Sequence, residues 1–115
     1  MNFTLTRAFA FQAAHILPWH SGKCARLHGH SYRLEVSVAG PLDDNGIVLD
    51  FSDLRDLVED RIITPLDHTM LNDRFANPTV EMVAAWILTT LRDELALISG
   101  VRLWETATSF VEVTP

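Results

Sequence analysis

Imidazole and thiol side chains are concentrated in one short stretch, FQAAHILPWHSGKCARLHGHSY, which spans Phe11–Tyr32. It carries four of the five histidines and the single cysteine. Zinc takes imidazole nitrogens readily, and catalytic zinc sites commonly use three protein ligands and leave one position open. His28 and His30 stand two residues apart, so on a strand their rings share one face and can converge on one ion. His15 completes a triad if the strand before it pairs antiparallel with theirs. A Gly-His-rich turn holding solvated imidazoles is the plainer reading, and spacing alone leaves both open. His20 lies in a loop off both strands and is not expected to be a ligand.

Three further groups could do chemistry near such a site. Cys24 lies four residues before His28. A lone cysteine is most often a small buried hydrophobe, but Lys23 and Arg26 flank this one, and neighbouring cations favour a thiolate. It is either a fourth ligand or a base beside an open site. Asp67 and His68 form a second candidate, because a carboxylate that accepts from an imidazole fixes its tautomer and raises its basicity. Adjacent residues make that bond only across a sharp turn, so unrelated roles at a helix end are the simpler expectation. Glu105 is the third. It shares the strand parity of Val101 and Leu103, where a carboxylate is not expected to be buried unpaired. It is either a strand-end glutamate near solvent or a receiver of two parallel N–H donors from a planar ligand. The 2-amino-4-oxo edge of a pterin or guanine presents such donors.

The elements that must carry these groups follow from periodicity. Phe3, Leu5, Phe9 and Phe11 alternate with polar and small residues, which predicts a strand with Arg7 as an exception on its apolar side. Tyr32, Leu34, Val36 and Val38 predict a second strand, whose apolar parity extends back to His30 and His28. Pro18, Ser21 and Gly22 mark a loop between them. Ile47–Leu49 is expected to extend the sheet briefly. Ser52 is the expected N-cap of a helix with Leu54, Leu57, Val58 and Ile62 on one stripe, ended by Pro65. Leu66–Asn72 reads as irregular. Asn77-Pro78-Thr79 opens a second helix whose apolar face is Val83, Trp86, Ile87, Leu91 and Leu95. Val101–Thr106 and Phe110–Val113 are expected strands. The order is strand, strand, helix, helix, strand, strand, which indicates one α+β domain over residues 1–115, a four-stranded antiparallel sheet with two helices on one face. Two helices cover only one face, so the other face and the edges call for an oligomer.

The totals agree with a compact enzyme or binding module. The chain has 115 residues, 48% of them hydrophobic, and a formal net charge of −6. That balance argues against a general nucleic-acid partner but not against an anionic small molecule. One cysteine excludes an intrachain disulfide and any CxxC zinc motif. No apolar run approaches a membrane span and the first residues lack a signal-peptide core, so the expectation is a cytoplasmic protein.

Taken together, FQAAH (Phe11–His15), CARLHGHSY (Cys24–Tyr32), VLDFSDL (Val48–Leu54), LDHTMLND (Leu66–Asp73), NPTVE (Asn77–Glu81) and Glu105-Thr106 resemble the 6-pyruvoyl-tetrahydropterin synthase / 6-carboxy-tetrahydropterin synthase family. The motifs keep their order from the first strand almost to the end of the chain. The interval between Cys24 and His28 resembles the bacterial 6-carboxy-tetrahydropterin synthase branch, which makes the queuosine precursor. The resemblance implies a T-fold with His15, His28 and His30 as zinc ligands, Cys24 as general base, and Asp67 with His68 as a second acid/base pair. It further implies that Glu105 anchors the pterin ring and that Thr79 helps to hold it, with Lys23, Arg26 or Arg74 near the triphosphate. The implied assembly is a homohexamer, a dimer of trimers, in which Asp67 and His68 reach a neighbouring subunit's pocket. The implied reaction converts 7,8-dihydroneopterin triphosphate to 6-carboxy-5,6,7,8-tetrahydropterin, acetaldehyde and triphosphate. Within the family the alternatives are the pyruvoyl product or side-chain aldol cleavage. Outside enzymes, the alternative is a pterin- or purine-binding T-fold oligomer without turnover.

Overall fold

Two long strands set the frame of the molecule, which a computed structural model describes over all 115 residues. β1 (Phe3–His15) and β2 (His28–Gly40) pair antiparallel along their whole lengths, from Phe3 opposite Gly40 to His15 opposite His28. Alternation puts Phe9, Phe11 and Ala13 on the same face as Tyr32, Leu34 and Val36, and all six are buried. The odd charge on that side is absorbed locally: Arg7 Nη1 donates to the Phe51 carbonyl (3.2 Å).

β3 (Thr69–Met70) runs parallel to β1 at Ala13 and Ala14. β4 (Ile98–Thr106) pairs antiparallel with β2, and β5 (Ser109–Val113) with β4. The sheet therefore has five strands in the order β3-β1-β2-β4-β5 and is mixed, where the sequence predicts four antiparallel strands. The added strand lies in the segment expected to be irregular. Two residues are too few to show alternation, and what recruits them is the unpaired backbone on the outer edge of β1.

The first helix, Phe51–Val58, is capped by Asp50, whose Oδ1 accepts from Ser52 N–H (2.6 Å). Ser52, the expected cap, already lies inside the helix. Pro65 does not end it either. A π turn, Glu59–Ile63, leads into a last α turn, Thr64–Leu66. Thr64 N–H donates to the Glu59 carbonyl five residues back. In a regular helix the proline ring would clash with the carbonyl four residues before it, and the wider turn relieves that clash. Ile47–Leu49 is loop rather than strand, entered by a turn in which Asp43 Oδ1 accepts from Asn45 and Ile47 N–H and Gly46 takes φ 81°.

The second helix, Val80–Glu94, starts at Thr79, whose Oγ1 accepts from Met82 N–H (3.1 Å). It buries Val83, Ala84, Ile87, Leu88 and Leu91, while Trp86 and Leu95 flank the core half-buried. Both helices lie on one face of the sheet, and one cluster of 21 buried residues fills the space between. No helix is long and apolar enough to cross a membrane.

Candidate metal centre and acid–base pair

Antiparallel pairing brings three imidazoles together at one end of the β1–β2 ribbon. His15 faces His28 across the ladder and His30 lies two residues further along, opposite Ala13, on the same face as the core. One ring nitrogen from each lies within 4.8 Å of the others, a set that can hold a metal ion. His15 is fully buried, whereas His28 and His30 are partly open.

Backbone carbonyls fix two of the three tautomers. His15 Nδ1 contacts the Pro78 carbonyl (2.8 Å) and His28 Nδ1 contacts the Arg26 carbonyl (2.7 Å). A carbonyl only accepts, so each Nδ1 carries the proton and each Nε2 presents a lone pair. Those two Nε2 atoms face each other at 2.9 Å. Two lone pairs held that close repel unless a cation lies between or beside them. His30 Nε2 is buried without a hydrogen-bond partner. Burial, chiefly, holds His30 below the ordinary imidazole range, with His15 and His28 adding to the depression and Glu105 opposing it. This donor set fits a divalent ion that accepts imidazole nitrogen, with hydrogen-bonded Nδ1 groups orienting the rings.

Glu105 reaches the same place from β4. Its Oε1 lies 3.3 Å from His15 Nε2 and 3.5 Å from His30 Nε2. Its carboxylate thus faces the same Nε2 lone pair of His15, so a cation seated among the rings would offset this negative charge as well. The neighbouring Tyr32 hydroxyl is buried without a partner, and burial together with Glu105 pushes its phenol above the usual range. Tyr32 shares the parity of His28 and His30, the signal that could have placed it at the site.

Cys24 sits half-buried in a short 3₁₀ turn, Lys23–Ala25, and is not among the clustered ligand atoms. His20 is also outside the cluster, its Nδ1 accepting from Gly22 N–H (2.9 Å). Of the basic residues expected near a triphosphate, Arg74 lies over the Trp86 ring (5.3 Å), while Lys23 and Arg26 flank Cys24 and are exposed.

Asp67 and His68 occupy a different place, the outer edge of β1. Gln12 N–H donates to Asp67 Oδ1 (2.8 Å), and His68 N–H donates to the Gln12 carbonyl (2.6 Å). The two side chains do meet, with His68 Nδ1 3.0 Å from Asp67 Oδ1. The sharp turn this requires is visible as φ 58° at His68, the left-handed region that non-glycine residues seldom adopt. Chiefly the Gln12 N–H, and then His68, hold the Asp67 carboxyl below its usual range. His68 is 78% exposed and borders a cleft of about 580 Å³ floored by Gln12, Ala14, Gly29 and Ser31. The contributions of Gln12, Arg26 and Pro78 come through the main chain, which leaves no side-chain signature to read in a sequence.

Residues 4–115 match the family described as 6-pyruvoyl tetrahydropterin synthase. The chain belongs to that family. A 6-carboxy-5,6,7,8-tetrahydropterin synthase of Haemophilus influenzae is 38% identical over an alignment of 137 positions, covering 96% of this chain and 97% of that one. A protein of the same name from Synechocystis is 41% identical over 111 residues, covering 90% and 86%. The structure of Caenorhabditis elegans 6-pyruvoyl tetrahydropterin synthase superposes with a TM-score of 0.90, covering 100% of this chain and 96% of that one. At 24% identity that likeness shows the T-fold.

Proposed function

We propose that this family member is a zinc-dependent lyase that converts 7,8-dihydroneopterin triphosphate to 6-carboxy-5,6,7,8-tetrahydropterin, acetaldehyde and triphosphate, in queuosine biosynthesis. The name and coverage of the Haemophilus influenzae and Synechocystis relatives support the reaction. The observation that carries the metal is the pair of Nε2 lone pairs facing each other at 2.9 Å. His15, His28 and His30 would hold the ion, which when bound supplies Lewis-acid polarisation of substrate oxygens.

The chain's own groups then divide the work. Cys24, outside the ligand cluster, takes a proton as thiolate. His68, oriented by Asp67, exchanges a proton on the other side of the substrate. Glu105 receives the paired N–H donors of the pterin edge, and Thr79 supports the ring from the start of its helix. Because Asp67 and His68 lie on a sheet edge, the reading includes a homohexamer in which they serve the site of a neighbouring subunit. The reading includes a cytoplasmic protein, and the net charge of −6 argues against a general nucleic-acid partner.

Mass identification of the product from 7,8-dihydroneopterin triphosphate, run beside metal analysis, tests this. The expected result is the 6-carboxy product and about one zinc per protomer. A pyruvoyl or aldol product would move the protein to another reaction of the family, and unconsumed substrate would leave a binding module. Cys24→Ala should keep its zinc and lose turnover; zinc lost along with turnover would make Cys24 a ligand.

A further inference from the structure

The loop that carries Cys24 is tied to the segment following β3 by two side-chain amides. The first, that of Asn72, meets both backbone groups of Ile16. Ile16 N–H donates to Asn72 Oδ1 (2.9 Å), and Asn72 Nδ2–H donates to the Ile16 carbonyl (2.9 Å). The last backbone rung of the parallel β1–β3 ladder pairs Ala14 with Met70, so this amide occupies the next rung in place of a peptide group. Ile16 follows His15 directly, and the next residue, Leu17, donates its N–H to the Cys24 carbonyl (2.8 Å).

The second tie lies close by. The Trp19 indole N–H donates to Asn77 Oδ1 (2.8 Å). Asn77 immediately precedes Pro78, whose carbonyl fixes His15 Nδ1. One short segment, Asn72 to Pro78, therefore holds both a ring of the histidine cluster and the loop bearing the thiol. The Asn72 amide suits this work because it offers a donor and an acceptor in one plane.

We propose that Asn72, seconded by the Trp19–Asn77 bond, is a positioning residue that sets where the Cys24 thiol stands relative to the histidine cluster. The proposal rests on the reading of Cys24 as a base beside that cluster. Replacing the amide by a carboxylate keeps the acceptor but sets a second oxygen against the Ile16 carbonyl, so Asn72→Asp breaks one arm of the clamp with little change in size. Trp19→Phe removes the second tie alone, at an exposed position.

The experiment measures zinc content, steady-state turnover of 7,8-dihydroneopterin triphosphate, and the rate at which iodoacetamide alkylates Cys24, the only thiol. Asn72→Asp should keep its zinc and lose roughly ten- to hundredfold in kcat, up to the scale of a reacting group misplaced by about 1 Å. KM should stay within about twofold, because the lost contact lies outside substrate binding. The alkylation rate should change in both variants, more in Asn72→Asp than in Trp19→Phe. In a Cys24→Ala background the same Asn72→Asp change should leave the residual turnover unaltered, since the group being positioned is gone. Unchanged kcat and alkylation, loss of zinc, or an undiminished effect without the thiol would each overturn the proposal. If Asn72→Asp fails to fold, Trp19→Phe carries the same readouts. Full turnover in Cys24→Ala alone would instead sink the reading of Cys24, while altered alkylation in the variants would still establish the clamp.

Discussion

The histidine cluster and the Asp67–His68 pair are built by opposite means. The cluster lies on neighbouring rungs of a paired ladder, on the buried face, with two of its rings held by carbonyls at 2.7 and 2.8 Å. The pair lies on the outer edge of β1, with one ring 78% exposed on a residue at φ 58°. The ligation proposed for the cluster needs several lone pairs fixed on one point; cross-strand pairing brings the rings together, and carbonyls of the adjoining loops orient two of them. The proton exchange proposed for His68 needs a ring that can meet solvent or a substrate, and an edge provides that access. Charge is controlled differently as well. Desolvation keeps His30 in its neutral, lone-pair form, whereas the Gln12 N–H keeps Asp67 in its ionised form.

Removing a ring from the cluster should have the largest effect. In His15→Ala the proposed ion site loses its only fully buried ring. The expected outcome is loss of bound metal and of several kcal/mol of Lewis-acid stabilisation. At about 1.4 kcal/mol per tenfold, that is roughly a hundred- to thousandfold in turnover. His68→Ala should also reduce turnover, by roughly a hundredfold for a lost acid/base group, but with metal retained. Metal analysis separates the two variants. Metal lost from His68→Ala would show that the regions are not independent.

A mixing experiment sharpens the same contrast. If the edge pair serves a neighbour's cluster, His15→Ala and His68→Ala chains unfolded together and reassembled should regain activity. Random mixing leaves about a quarter of such shared sites with both groups intact. If the pair serves its own chain's cluster, the mixture stays as inactive as its parents.

The two regions also differ in how far they are legible in the sequence. Parity places His28, His30 and, given antiparallel pairing, His15 on one face, because side-chain alternation is a property of the strand itself. The convergence of Glu105 on that cluster is not legible, since it depends on the register between β2 and β4. The contact between Asp67 and His68 reads as geometrically awkward in the sequence, because a positive φ at a histidine has no local signal. Capping by Asp50 and the helix running through Pro65 escape a sequence reading for a related reason. Each depends on how the chain before the element enters it or widens to receive it, rather than on the residue types within it.

A smaller effect tests whether Thr79 belongs with the site or only with the fold. Its hydroxyl caps the second helix, and Thr79→Ala should cost about 1 kcal/mol of stability, read as a lowered Tm. A capping hydroxyl still has its own proton to donate. Thr79→Asp keeps the cap and lacks that donor at neutral pH. With Tm restored in Thr79→Asp, a raised KM would support contact with the pterin, and an unchanged KM would confine Thr79 to capping.

The smallest effect concerns acid stability at the edge pair. The Asp67 carboxyl lies below its usual range chiefly because it accepts from Gln12 N–H. The folded state therefore favours the ionised form more than the unfolded chain does. That contribution is fully present above the ordinary aspartate value of about 3.9, and it is lost as pH falls through the lower folded value. Thermal melts of wild type and Asp67→Asn should differ by a constant interval from neutral pH down to about pH 5, and the interval should shrink as pH falls below the ordinary aspartate value of about 3.9. An interval that stays constant through the acid range would mean that ionisation of Asp67 adds nothing to the folded state, and that the Gln12 N–H is served as well by a neutral acceptor.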